Sequence, residues 1–246
     1  MKAVTAAAAA AALVQFGPAV AAIPGVTSRS QPAFGAGCHQ HGLALTFDDG
    51  PHPQGAPAVL EVLAKQSVTA TFFLIAEQLR RYPDIGRRIV AEGHEVGVHG
   101  LNHTPLIWQG PITTRRNLVE ATAVIADICQ TVPRWFRPPC GIATGSSLLA
   151  AHSLGLQPIW WTRWARDWST SATADSIARR STRMLRSSEV LLLHDSDSYG
   201  SPGSWRAAAA ALPVILRTCR TLGMPVGSLR ALCEAAATAG GPTPRQ

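Results

Sequence analysis

The 246-residue chain is short of charge: Asp, Glu, Lys and Arg make up 15% of it, against about 25% in an average soluble domain. Lysine is almost missing, at Lys2 and Lys65 alone. The net charge of +7 is therefore arginine charge, spread singly and in pairs. None of the dense basic runs that form nucleic-acid-binding arms is present, so no nucleic-acid partner is expected. The five cysteines (Cys38, Cys129, Cys140, Cys219 and Cys233) are odd in number and contain no C-x-x-C pair, which argues against a cysteine zinc site. Beyond an alanine-rich start, no stretch approaches the roughly 20 apolar residues that cross a bilayer. Disorder is excluded from the other side, since 46% of the residues are hydrophobic and a chain of this length buries a core without a disulfide scaffold.

What is present begins with a signal-like segment. Lys2 supplies a short positive start, Ala6 to Val14 an apolar run, and Ala19-Val20-Ala21 an A-x-A cleavage pattern. Residues 1–22 therefore read as a secretory signal peptide, 23–37 as a Pro/Gly/Ser/Thr linker, 38–237 as one folded domain and 238–246 as a flexible tail. The expectation is a secreted or cell-wall protein with no stable membrane span after processing. Export would let Cys219 and Cys233 pair; two buried free thiols fit equally well. The oligomeric state is not read from the sequence.

Short apolar runs alternate with amphipathic stretches through the domain. Strands are expected at Leu43–Phe47, Thr71–Ile75, Val96–Val98, Trp135–Arg137, Pro158–Trp161 and Val190–Leu193. Helices are expected at Ala56–Gln66, Ile85–Glu92, Ile112–Cys129, Ser147–Ser153, Ser176–Leu185, Trp205–Leu222 and Leu229–Ala237. Repeated β-then-α units with nearly continuous apolar strands argue for a parallel sheet covered by helices, closing in a barrel-like form. Polar clusters fall at the strand ends: Asp48-Asp49, His99 and His103, Arg137, Asp167, and His194-Asp195. Catalytic groups of parallel α/β folds gather at that edge.

Asp49, His99 and His103 form a one-carboxylate, two-imidazole set that suits zinc first, with cobalt, iron or manganese possible. On a helical turn the i, i+4 spacing sends both imidazoles to one side; taken alone, the same spacing also fits two ordinary structural histidines. Asp48 is free to act as a base on a water acidified by the metal, with Arg137 holding it ionised. His194 suits a general acid, with Asp167 fixing its tautomer. Trp160, Trp161, Trp164 and Trp168 fit either a sugar-stacking platform or the core, and Trp108 and Trp205 fit a groove rim. His39 and His41 read as loop histidines, His52 as a turn cap and His94 as structural.

The ordered set Thr46-Phe47-Asp48-Asp49-Gly50, His99-Gly100-Leu101-Asn102-His103, Arg137-Pro138-Pro139-Cys140-Gly141, Trp161 through Asp167-Trp168, and Leu191-Leu192-Leu193-His194-Asp195 resembles the five motif regions of the NodB-homology polysaccharide deacetylases, carbohydrate esterase family 4. The resemblance covers about residues 43–230. It implies a distorted (β/α) barrel with outer helices, and metal-dependent removal of acetyl groups from a glycan such as peptidoglycan or chitin. It implies Asp48 as base, His194 as acid, Asp49, His99 and His103 as metal ligands, and Arg137 and Asp167 as their supports. It also implies an oxyanion contact from the Cys140 backbone N–H and an acetyl pocket walled by Trp161 and Leu192. An O-acetyl xylan or sugar esterase and a non-catalytic glycan-binding protein are the alternatives. Three departures stand out: Cys140 where an aromatic is usual, Gly100 where Ser or Thr is usual, and Trp164 where the fourth motif's earlier Asp falls.

Overall fold

The computed structural model describes residues 2–22 and 42–238. Helix α1 (Lys2–Phe16) precedes the domain. The domain then runs β1 (Leu43–Asp48), α2 (Gly55–Gln66), β2 (Thr71–Leu74), α3 (Ala76–Arg81), α4 (Pro83–Ala91), β3 (Glu95–Val98), α5 (Pro111–Cys129), β4 (Trp135–Phe136) and α6 (Gly145–Ser153). It continues with β5 (Gln157–Pro158), β6 (Arg163–Trp164), α7 (Ala174–Thr182), β7 (Glu189–His194), α8 (Ser204–Thr221), β8 (Val226–Gly227) and α9 (Leu229–Thr238). Among the described residues no helix is long and apolar enough to cross a membrane. The expected linker lies outside the described residues.

The strands form one sheet in the order β5-β4-β3-β2-β1-β7-β6, with β8 beside the start of β1. Every pairing is parallel. Residues 159–162 join the two end strands and keep the curve going: the Ile159 N–H donates to the Phe136 carbonyl, and the Thr162 N–H to that of Val190. The result is the distorted (β/α) barrel that the motifs imply.

Period-two alternation divides the strand side chains between two cores. Leu43, Leu45, Phe47, Phe72, Leu74, Val96, Val98, Phe136, Leu191 and Leu193 face the helices. Ala44, Phe73, Trp135, Ile159 and Val190 fill the barrel with Leu229 and Leu232 of α9, which plugs its lower end. Glu95 fastens that plug. Its carboxylate accepts from the Thr71 hydroxyl, the Trp135 indole and the Arg230 backbone N–H at 2.8, 2.8 and 3.0 Å.

Within the domain two elements were not foreseen, the six-residue α3 and the two-residue β8; both are too short to show a period. The expected Pro158–Trp161 strand is instead β5 and β6, two residues each, flanking a bend. Cys219 is a buried free thiol, like Cys129, while Cys233 is disulfide-bonded. The Cys219–Cys233 pair is therefore not formed, and neither is a pair of free thiols.

Candidate active site

The inward period of each long strand ends on a polar side chain at the same rim. Asp48 closes β1 and pairs in register with His194, which closes β7. His99 follows β3, and Arg137 follows β4. Asp49 then leaves β1 at φ +74°, a left-handed conformation that Asp tolerates better than most residues. Its Oδ1 comes within 3.3 Å of His99 Nε2 and 3.2 Å of His103 Nε2.

His99 and His103 do not sit on a helical turn, contrary to expectation. The chain bends there through Gly100 at φ +101°, where a Cβ would lie 3.1 Å from the Asn102 carbonyl. A Ser or Thr at this position would be strained. The imidazoles converge all the same, with centroids 5.6 Å apart. His99 Nδ1 lies 2.8 Å from the Arg137 carbonyl. Because a carbonyl only accepts, Nδ1 carries the proton and Nε2 presents its lone pair to the site.

These residues fit a cation. One donor atom from each of Asp49, His99 and His103 lies within 4.8 Å of the others. Asp49 Oδ1 is buried without a properly directed hydrogen bond, although both imidazoles approach it. Burial pushes the Asp49 carboxyl up, but His103, His99 and the charge of His194 hold it well below the usual carboxylate range. Burial opposes charge on His99, yet the Asp48 and Asp49 carboxylates raise its pKa. A bound cation would compete for that same lone pair.

Arg137 is fully buried behind the rim. Its Nη1 donates to Asp48 Oδ1 at 2.7 Å and to the Thr46 hydroxyl at 2.8 Å; Nε and Nη2 reach the carbonyls of Ile159 and Trp160 at 3.2 and 3.1 Å. The guanidinium lies 4.1 Å from the Phe73 ring centroid. Burial lowers the Arg137 pKa and the Asp48 charge opposes the shift; guanidinium stays charged.

Asp167 holds His194 twice, Oδ2 accepting its backbone N–H at 2.7 Å and Oδ1 facing Nδ1 at 3.0 Å. Burial disfavours the imidazolium, but the Asp167 charge wins and the His194 pKa rises to about 10. Nε2 is left facing the cavity, 3.8 Å from Asp49 Oδ2. Next to it, Asp195 is buried with both carboxylate oxygens unpartnered, and burial pushes its pKa up to about 8. It packs on Gly50, where any Cβ would collide with the carboxyl group.

These groups open into a cavity of about 470 Å³ whose walls include Asp48, Asp49, His99, His103, His194 and Leu192. Cys140, Trp161, Trp164, Trp168 and Tyr199 complete the aromatic side and the rim. The ten residues to which the family resemblance gives a role thus line this cavity or, as Arg137 and Asp167 do, stand directly behind it. Cys140 is exposed, at φ +55°. Trp160 belongs to the core, its indole donating to the Gly141 carbonyl, and neither Trp108 nor Trp205 lines the cavity. His94 is structural, its Nδ1 accepting the Ala70 N–H. His52 Nδ1 caps the start of α2 through the Gly55 N–H at 3.0 Å; His39 and His41 lie outside the described residues. Thr46, quoted in the first motif but given no role, binds Arg137, and Tyr199 was not singled out at all. Thr46 lies two residues before Asp48, so its inward placement was readable; Tyr199 sits in a Ser/Gly loop with no period.

A parallel barrel that gathers an arginine-paired carboxylate, a carboxylate-held imidazole and three atoms able to hold a cation at its strand ends has the frame of an α/β hydrolase. The family described as polysaccharide deacetylase matches residues 37–159. A chitooligosaccharide deacetylase of Bradyrhizobium sp. is 38% identical over 161 residues, covering 65% of this chain and 73% of the relative. A peptidoglycan-N-acetylglucosamine deacetylase of Bacillus cereus is 31% identical over 172 residues, covering 69% and 78%. Among solved structures, a family 4 acetyl xylan esterase from Clostridium thermocellum, in complex with a cobalt ion, superposes with a TM-score of 0.70 at 29% identity, covering 81% of this chain and 92% of its own. The chain belongs to the polysaccharide deacetylase family.

Proposed function

We propose that this protein is a metal-dependent deacetylase that removes N-acetyl groups from a glycan containing N-acetylglucosamine, peptidoglycan or chitin-like, outside the cytoplasm. One observation carries the reading: three cation-ligand atoms converge beside an arginine-paired carboxylate and a carboxylate-held imidazole. The relatives named for such substrates support it. The placement outside the cytoplasm rests on the signal-like start and on those relatives' glycans.

Asp49, His99 and His103 would hold the cation, for which zinc is the first choice with this donor set and cobalt the second. Such a cation supplies a Lewis acid to the acetyl carbonyl and acidifies a neighbouring water. Asp48 is the base. Arg137 occupies its Oδ1, which leaves Oδ2 to accept the proton of the attacking water. His194 is the acid: with Asp167 on Nδ1, the Nε2 proton is directed to the leaving amide nitrogen, which departs as the sugar amine. Trp161 and Leu192 wall the space for the acetyl methyl. The Cys140 backbone N–H meets the oxygen of the tetrahedral intermediate, a contact worth about 3 kcal/mol in other hydrolases.

Acetate release from N-acetylated glycans should stop with a chelator and return with zinc or cobalt. Asp48→Asn should lower kcat by about 10³-fold while zinc still binds; near-normal turnover would remove Asp48 from the role of base. Release from acetylated xylan without amide cleavage would point instead to an O-acetyl esterase, as in the Clostridium relative. Glycan binding with no acetate release from any substrate would point to a non-catalytic binding protein.

A further inference from the structure

The loop between β7 and α8, residues 195–203, brings to the cavity one ring that belongs to none of the five motif regions, Tyr199. We propose that Tyr199 is a substrate-positioning residue whose open face seats a sugar ring of the N-acetylated glycan beside the candidate cation site; the assignment rests on the function proposed above.

The Tyr199 ring lies nearly parallel to the His103 imidazole, with centroids 4.2 Å apart and 15° between planes. One face is therefore used, and the residue remains 42% exposed. Around the same rim stand Trp168, 40% exposed, and Trp164, stacked on it at 6.0 Å. Exposed aromatic faces at the mouth of a polar cavity suit a ligand that is apolar on one side and hydroxylated on its edges. A pyranose ring, with its C–H face, is such a ligand, and a small acyl group is not.

The loop is held in place by contacts that need no ligand. Asp197 pairs with His52 Nε2 at 3.1 Å and accepts the Gly203 N–H. His52 is itself fixed by the start of α2. The Ser201 N–H donates to the Trp168 carbonyl at 3.0 Å, and a Cβ on Gly200 would press on Trp168 Cβ at 3.1 Å. The loop that carries Tyr199 is thus fastened to Trp168 and to the turn after β1, which lowers the ordering cost of binding a ring there.

The test compares Tyr199→Ala and Tyr199→Phe, in the full zinc-loaded chain, on N-acetylated chitopentaose and on 4-nitrophenyl acetate, which has no sugar. Tyr199→Ala should lose about tenfold more kcat/KM on the pentamer than on the ester, mainly through KM; Tyr199→Phe should recover most of it. Equal losses on both substrates would overturn the assignment, because Tyr199 would then act only through His103. Calorimetry of chitopentaose on Asp48→Asn protein, with and without Tyr199→Ala, reads the contact without turnover, and a Kd weaker by about tenfold is expected. An inactive wild type with Tyr199-dependent binding would overturn the deacetylase reading and keep the seat. An active wild type whose kinetics and binding ignore Tyr199 would do the reverse.

Discussion

Arg137 shows how one buried side chain sets the terms for a site. Its fork satisfies Asp48, Thr46 and two carbonyls at once, and the Thr46 hydroxyl passes the network on to the Leu191 carbonyl at 2.7 Å. Arg137→Met would leave Asp48 a buried carboxylate without its counter-charge, so unfolding free energy should fall by about 3–5 kcal/mol. Arg137→Lys keeps the charge but loses the planar fork, and should fall between the two in urea midpoint and in acetate release. Residue identities of this kind were readable from the sequence because Asp48, Arg137 and His194 stand where apolar strands end, the edge at which parallel α/β folds gather catalytic groups. Backbone detail was not. The i, i+4 spacing of His99 and His103 suggested a helical turn, and only the positive φ of Gly100 shows that a bend delivers the same convergence.

At the scale of the element, helix starts were displaced for a definite reason. Ser147 and Ser176 looked like first residues, yet each is the N3 partner of a capping box whose N-cap is Thr144 or Thr173. Threonine three residues before serine satisfies both backbone N–H groups, and the serine alone was visible against the neighbouring period. The end of α7 was unreadable for another reason. Arg163, distant in sequence, donates to the carbonyls of Arg180 and Arg183 and stops the helix short of Leu185. Tertiary contact also fixes α9, through Glu95. Glu95→Gln would aim an amide donor at a ring of donors from Thr71, Trp135 and Arg230, and should cost about 3 kcal/mol in urea unfolding. Because Glu95 lies at the end of the barrel away from the rim, acetate release per folded molecule should stay close to wild type.

The whole molecule ties its stability to the rim. The β-then-α alternation made the barrel legible before any contact was known, and the strand-end clusters made its functional edge legible too. The α1 segment and the partner of Cys233 were beyond that kind of reading. The three candidate ligands come from the end of β1 and from the bend after β3, separate parts of one continuous ladder, so a cation they share cross-links the sheet in the folded state alone. A ligand present at 100 times its Kd stabilises by about 2.7 kcal/mol, and each kcal/mol moves the midpoint of a domain of this size by about 2–4 °C. Adding zinc to chelator-stripped protein should therefore raise Tm by about 5–10 °C. Asp48→Asn, which leaves the donor set intact, should keep that shift, and Asp49→Ala should abolish it. A shift that survived Asp49→Ala would place the zinc elsewhere on the chain and detach the cation from Asp48 and His194 around this cavity.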